Sequence, residues 1–130
     1  MVYNNIKIVK EYMDNLPLIM ANRNQIQQII VNLCNNSIDA MPGGGEISVS
    51  TKLNENWIEF SISDTGIGID EETMKHIYEP FFTTKEVGKG TGLGLSLCYE
   101  IIKKHNGIIE AASKINCGTT FRIKLPLKEA

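Results

Sequence analysis

The chain has 130 residues, 42% of them hydrophobic and 22% charged, with a formal net charge of −2. That suffices for one domain with its own core. The acidic balance argues against nucleic acid as a partner, and no apolar run reaches the roughly 20 residues of a membrane span. The first residues, MVYNNIKIVKEY, lack the cationic-then-apolar layout of a signal peptide. The domain is therefore expected in the cytoplasm without direct membrane contact, even if a longer protein carrying it is anchored. Cys34, Cys98 and Cys117 form no CxxC pair. They read as free thiols of a reducing compartment, the first two in the core and Cys117 in a turn.

In chain order, an extended start holds Ile6 and Ile8, then Leu18, Ile19 and Met20 after Pro17. Asn22 is a candidate N-cap for a helix running to about Met41, with Ile26, Ile29, Ile30, Leu33 and Ile38 on its core face. PGGG stops it. Residues 46–53 and 57–63 alternate in polarity around the turn Asn54-Glu55-Asn56, which predicts a strand hairpin. A glycine-containing turn spans 64–68 and a short helix 70–78. Residues 79–92 lack periodicity and carry several glycines, the signature of a functional lid. A second helix is expected over 95–106, closed by Gly107, followed by strands over 108–113 and 119–125. The predicted architecture is α+β: a two-layer sandwich whose mixed, mostly antiparallel sheet is covered on one face by about three helices. The whole of 1–130 reads as a single domain.

Three segments carry chemistry. From Asn24 to Ile38 the first helix has no charged residue, and Gln25, Gln28, Asn32, Asn36 and Asp39 recur at helical spacing. An ordinary partly buried helix accommodates such amides by bonding to loops. A sustained uncharged stripe also suits a polar ligand, and magnesium accepts oxygen donors of this kind while sharing substrate phosphates. At the end of the third apolar run, SISDTGIGID puts Asp64 where its carboxylate can accept from an exocyclic amine, with Gly66 and Gly68 allowing close approach. A plain turn also favours these residue types. Asp-Thr-Gly after an apolar strand resembles the aspartic-protease loop as well, but an all-β protease has no use for two long helices and a second glycine-rich segment. That second segment, EPFFTTKEVGKGTGLGL, satisfies neither Walker nor dinucleotide spacing. It places glycines Gly88, Gly90, Gly92 and Gly94 before a helix, where bare amides and the helix dipole suit an anion. Thr91 can donate a hydroxyl to phosphate, and Lys85 and Lys89 can close on terminal phosphates or simply remain solvated.

In order, NLCNNSIDAMPGGG, DTGIGI, YEPFFTTK, GKGTGLGLSLCYEIIKKHNG and CGTTFRIKLP resemble the N, G1, F and G2 boxes and closing strand of one family. It is the ATP-binding catalytic domain of sensor histidine kinases, within the Bergerat-fold group that includes gyrase, MutL and chaperone ATPases. The resemblance implies ATP and Mg2+ as cofactors, Asn36 as the magnesium ligand, and Asn32, Asn36 and Lys85 as the catalytic set. It implies that Asp64 holds the adenine amine, with Gly66, Gly68, Ile69 and Thr119 shaping the base site. Asp39, Phe82, Lys85, Lys89, Gly90, Thr91, Gly92, Leu93, Gly94 and Leu95 complete the implied nucleotide-binding residues. Implied partners are ATP or ADP, the dimerisation and histidine-phosphoacceptor domain of the same kinase, and a response regulator.

Members that hydrolyse ATP or phosphorylate serine carry a glutamate at the position of Asn32. An amide there favours transfer to a neutral imidazole, which already presents a lone pair. An ATPase or serine kinase, and a nucleotide-binding module that regulates a partner without phosphorylating it, are the alternatives. Two departures stand out. Asn116 replaces a glycine before Gly118-Thr119, which puts the shape of that turn in doubt. Neither His76 nor His105 is followed by the acidic residue expected of a phosphoacceptor.

Overall fold

A computed structural model of the protein describes residues 2–3, 5–12, 23–80 and 94–126. The elements are β1 (Val2–Tyr3), β2 (Ile6–Tyr12), α1 (Arg23–Asp39), β3 (Gly45–Asn54), β4 (Trp57–Asp64), α2 (Glu71–Met74), α3 (Gly94–Lys104), β5 (Ile108–Lys114) and β6 (Gly118–Pro126). The strands form one sheet in the order β1-β2-β3-β4-β6-β5. Only the β2–β3 pair is parallel, as the crossover through α1 requires; the others are antiparallel.

The alternation in β3, β4 and β6 sorts their side chains by face. Ile47, Ile62, Phe121 and Ile123 point to the side covered by α1 and α3, where they pack with Ile29, Leu33, Cys98 and Ile102, all of them at most 4% exposed. Ser48, Ser63, Glu59 and Arg122 occupy the opposite face. That face carries a charge ladder: Arg122 Nε donates to Glu59 at 2.8 Å, Lys52 Nζ lies 4.0 Å from the same carboxylate, and Lys124 pairs with Glu110 at 2.9 Å. Glu59 is 3% exposed, so Arg122 is the partner that makes its burial tolerable.

Several boundaries differ from the sequence expectation. The 70–78 helix is only Glu71–Met74, started by Asp70, whose Oδ1 accepts from Thr73 N–H; single turns continue to Ile77, which is buried in the core. In α3 the left-handed cap is Asn106 (φ 58), not Gly107: Asn106 N–H reaches Lys103 O and Gly107 N–H reaches Ile102 O. Glycine follows because a Cβ there would sit 2.7 Å from Lys124 O. Helix α1 ends at Asp39, two residues early, where Met41 N–H tightens onto Ile38 O. The extended start pairs as two strands around Asn5 (φ 64), a left-handed position that asparagine tolerates. Asn22 and the apolar cluster at Leu18, Ile19 and Met20 lie outside the described residues.

Candidate functional site

The turn after β4 is tied to three neighbouring elements. Asp64, the last residue of β4, is 8% exposed. Its Oδ1 accepts from Gly66 N–H at 2.9 Å and from Thr119 N–H at 3.2 Å. Both bonds land on one oxygen, so among the described residues Oδ2 remains able to accept from a ligand. Next in sequence, Thr65 N–H donates to Glu46 O and Thr65 Oγ1 accepts from Glu46 N–H, fixing the turn to β3. Ile67 N–H donates to Ala40 O just beyond α1, and Ile67 O accepts from Asn116 N–H in the β5–β6 loop.

The glycines here answer to the protein's own backbone. A Cβ on Gly66 would meet Ala40 O at 2.6 Å, and one on Gly68 (φ 77) would meet Lys114 O at 2.2 Å. Gly118 (φ 104) is tighter still, with Asp64 O only 1.9 Å from the built Cβ. The sequence leaves Gly66 and Gly68 to a plain turn or to a ligand's approach; in the structure the end of α1 and the β5–β6 hairpin approach them closely. Asn116 keeps the turn it occupies in glycine-like form. It sits at φ 64 as third residue of the turn closed by Cys117 N–H to Lys114 O, a position that Asn tolerates.

One residue of this region carried no sequence signal. Ser113, on β5 opposite Thr119, contacts Ile69 N–H at 2.7 Å, Gly118 O at 3.0 Å and Thr119 Oγ1 at 2.7 Å. A lone serine in an alternating strand looks like any surface hydroxyl. Only the fold brings it against the Asp64 turn.

Of the polar stripe of α1, Asn32 is the residue that meets α3. Asn32 and Asn36 are half-buried, while Gln28 and Asp39 are exposed. Asn32 Nδ2 lies 3.5 Å from Gly94 O and 3.8 Å from Cys98 Sγ, so it faces the first turn of α3 through long contacts. Gly94 opens that helix, and among the described residues a Cβ there would meet nothing closer than Asn32 Cγ at 3.8 Å. Leu95 packs against the core. Beside it, burial raises the Cys98 thiol to about 11, and burial likewise raises the Tyr78 phenol to about 12. The Tyr78 ring stacks obliquely on Tyr99, centroids 5.3 Å apart. Phe82, Lys85, Lys89, Gly90, Thr91, Gly92 and Leu93, with nearly all of the expected lid, lie outside the described residues.

A depression of about 330 Å³ opens beside the Asp64 turn, lined by Ala40, Met41, Gly43, Gly44, Thr65 and Asn116 among others. Of the residues expected at the base site it shares Gly66, while Asp64, Asn36 and Thr119 do not line it. Among the described residues no three of His, Cys, Asp and Glu group as a metal cage. Asn36, half-buried on α1, carries a side-chain oxygen of the type that magnesium accepts alongside water and phosphate. No described helix is long and apolar enough to cross a membrane.

This arrangement is that of a known class. A family model described as histidine kinase-, DNA gyrase B- and HSP90-like ATPase matches residues 21–129, and the chain belongs to that family. Sporulation kinase E of Bacillus subtilis (strain 168) is 40% identical over 127 residues, which cover 97% of this chain but 17% of the relative. Among solved structures, the nucleotide-free catalytic domain of histidine kinase ThkA is 37% identical with a TM-score of 0.81, covering 95% of this chain and 80% of that one. ThkA in complex with the response regulator protein TrrA is 30% identical with a TM-score of 0.79, covering 96% of this chain and 35% of that one.

Proposed function

We propose that this chain is the ATP-binding catalytic domain of a two-component sensor histidine kinase. It binds Mg-ATP and donates the γ-phosphoryl group to a histidine on a separate dimerisation and phosphoacceptor domain. In that step the imidazole nitrogen forms the new N–P bond while the bond from phosphorus to the β,γ-bridging oxygen breaks, and ADP departs. The observation that carries the reading is Asp64. It is a buried carboxylate held through one oxygen by two backbone donors, with the other oxygen left for an amine.

Asn36, half-buried on the stripe shared with Asn32, would hold Mg2+; when bound, the ion neutralises charge on the phosphates. Asn32 supplies no general base, which suits an acceptor that needs none. Lys85, Lys89, Thr91 and the glycine run would receive the phosphates, with Gly94 at the start of α3. The complex of ThkA with TrrA supports a response regulator as the downstream partner, and the whole reading places the domain in the cytoplasm.

Calorimetry with ADP and with a non-hydrolysable ATP analogue, with and without magnesium, tests the binding half; no heat at submillimolar nucleotide would overturn it. Mixing the domain with an acceptor domain in trans and ATP should yield acid-labile phosphate. Binding without that product would make it a nucleotide-responsive regulatory module.

A further inference from the structure

Ser113, Thr119 and Asp64 occupy adjacent strands on the covered face of the sheet, at the end where the Asp64 turn begins. Ser113 has one proton. Gly118 O can only accept, so the 3.0 Å contact to it consumes that proton. The bonds to Ile69 N–H and to Thr119 Oγ1 are then both accepted by Ser113. It follows that the Thr119 hydroxyl proton is turned toward Ser113, and what Thr119 offers in other directions is lone pairs. Its backbone N–H is already committed to Asp64 Oδ1. Thr119 Oγ1 and Asp64 Oδ2 thus present acceptors only.

We infer that Ser113 is a positioning residue for base selection. By fixing the direction of the Thr119 hydroxyl, it makes the base end a surface of acceptors that takes an amino group at purine C6 and disfavours an oxo group there. The inference rests on the assignment of Asp64 to the adenine. Without Ser113 the Thr119 hydroxyl can rotate and donate, which would accommodate a carbonyl. The Ile69 amide would lose its acceptor at the same time. A residue that merely braced the turn would weaken all nucleotides alike, whereas a residue that orients a hydroxyl changes their ratio.

The test is the ratio of dissociation constants for inosine diphosphate and ADP, which differ in the C6 substituent and the N1 proton that accompanies it. The wild-type domain should bind ADP at least tenfold more tightly. Ser113→Ala should narrow that ratio by about three- to tenfold, the range of one hydrogen bond, and Ser113→Thr should restore it. An unchanged ratio in Ser113→Ala, even with both nucleotides weakened, overturns the inference. Should Ser113→Ala not fold, Thr119→Val removes the oriented hydroxyl and keeps the backbone donor to Asp64; it too must narrow the ratio, and an unchanged one is equally fatal. A wild-type protein that binds ADP without preferring it would instead refute the adenine assignment of Asp64.

Discussion

The two ends of the site are built differently. Around Asp64, short hydrogen bonds join β3, β4, the end of α1 and the β5–β6 hairpin, and the glycines are needed because backbone passes within 1.9–2.6 Å of where a Cβ would be. At the start of α3, Asn32 makes contacts of 3.5 and 3.8 Å, and among the described residues a Cβ on Gly94 would meet only Asn32, in ordinary contact at 3.8–4.0 Å. The Asp64 end, to which we assign the base, is held by the protein's own hydrogen bonds. At the other end no described residue makes glycine necessary at position 94.

The strongest way to break this contrast is Asp64→Ala. It should remove nucleotide binding in calorimetry and lower stability in urea by about 2–4 kcal/mol, because two donors lose their acceptor. Paired alanine substitutions come next. Gly118→Ala should destabilise by about 2–4 kcal/mol through the clash with Asp64 O and the forbidden φ. Gly94→Ala, in contrast, should raise stability by up to about 1 kcal/mol. If the two behaved alike in thermal unfolding, the contrast would be wrong. Asn36→Ala should abolish the magnesium-dependent part of ADP affinity and leave metal-free binding unchanged, as titrations with and without chelator would show.

The smallest effect is a pH dependence. Glu79, then Glu72, raises the His76 pKa above its ordinary 6.5. A raised folded pKa means the contribution is fully present below 6.5 and fades as pH rises through the folded value. His76→Gln should flatten that slope, and NMR titration of the imidazole would locate the midpoint.

How much of this was legible beforehand depended on whether the signal was local. Strand faces were readable because the alternation of Ile58, Phe60 and Ile62, or of Phe121, Ile123 and Leu125, encodes one dry face. Asp64 and Asn36 stood out through ordered motifs. Helix ends shifted by one to four residues because caps compete: Asn106 took the left-handed position that Gly107 was expected to fill. The doubt over Asn116 dissolved once its φ was known, since asparagine and glycine share that region. Ser113 could not have been found, because its three partners lie on other segments or across the hairpin.

The charge ladder on the uncovered face bears on how the domain responds to its medium. Lys124 and Glu110 meet in the open, so added electrolyte weakens them. Glu59 is 3% exposed although Arg122 is half-exposed, so salt should weaken that bond less than the first pair. The sheet thus keeps one ionic rivet that tolerates brine better than the other. A salt series in the unfolding midpoint should therefore fall slightly and then level off.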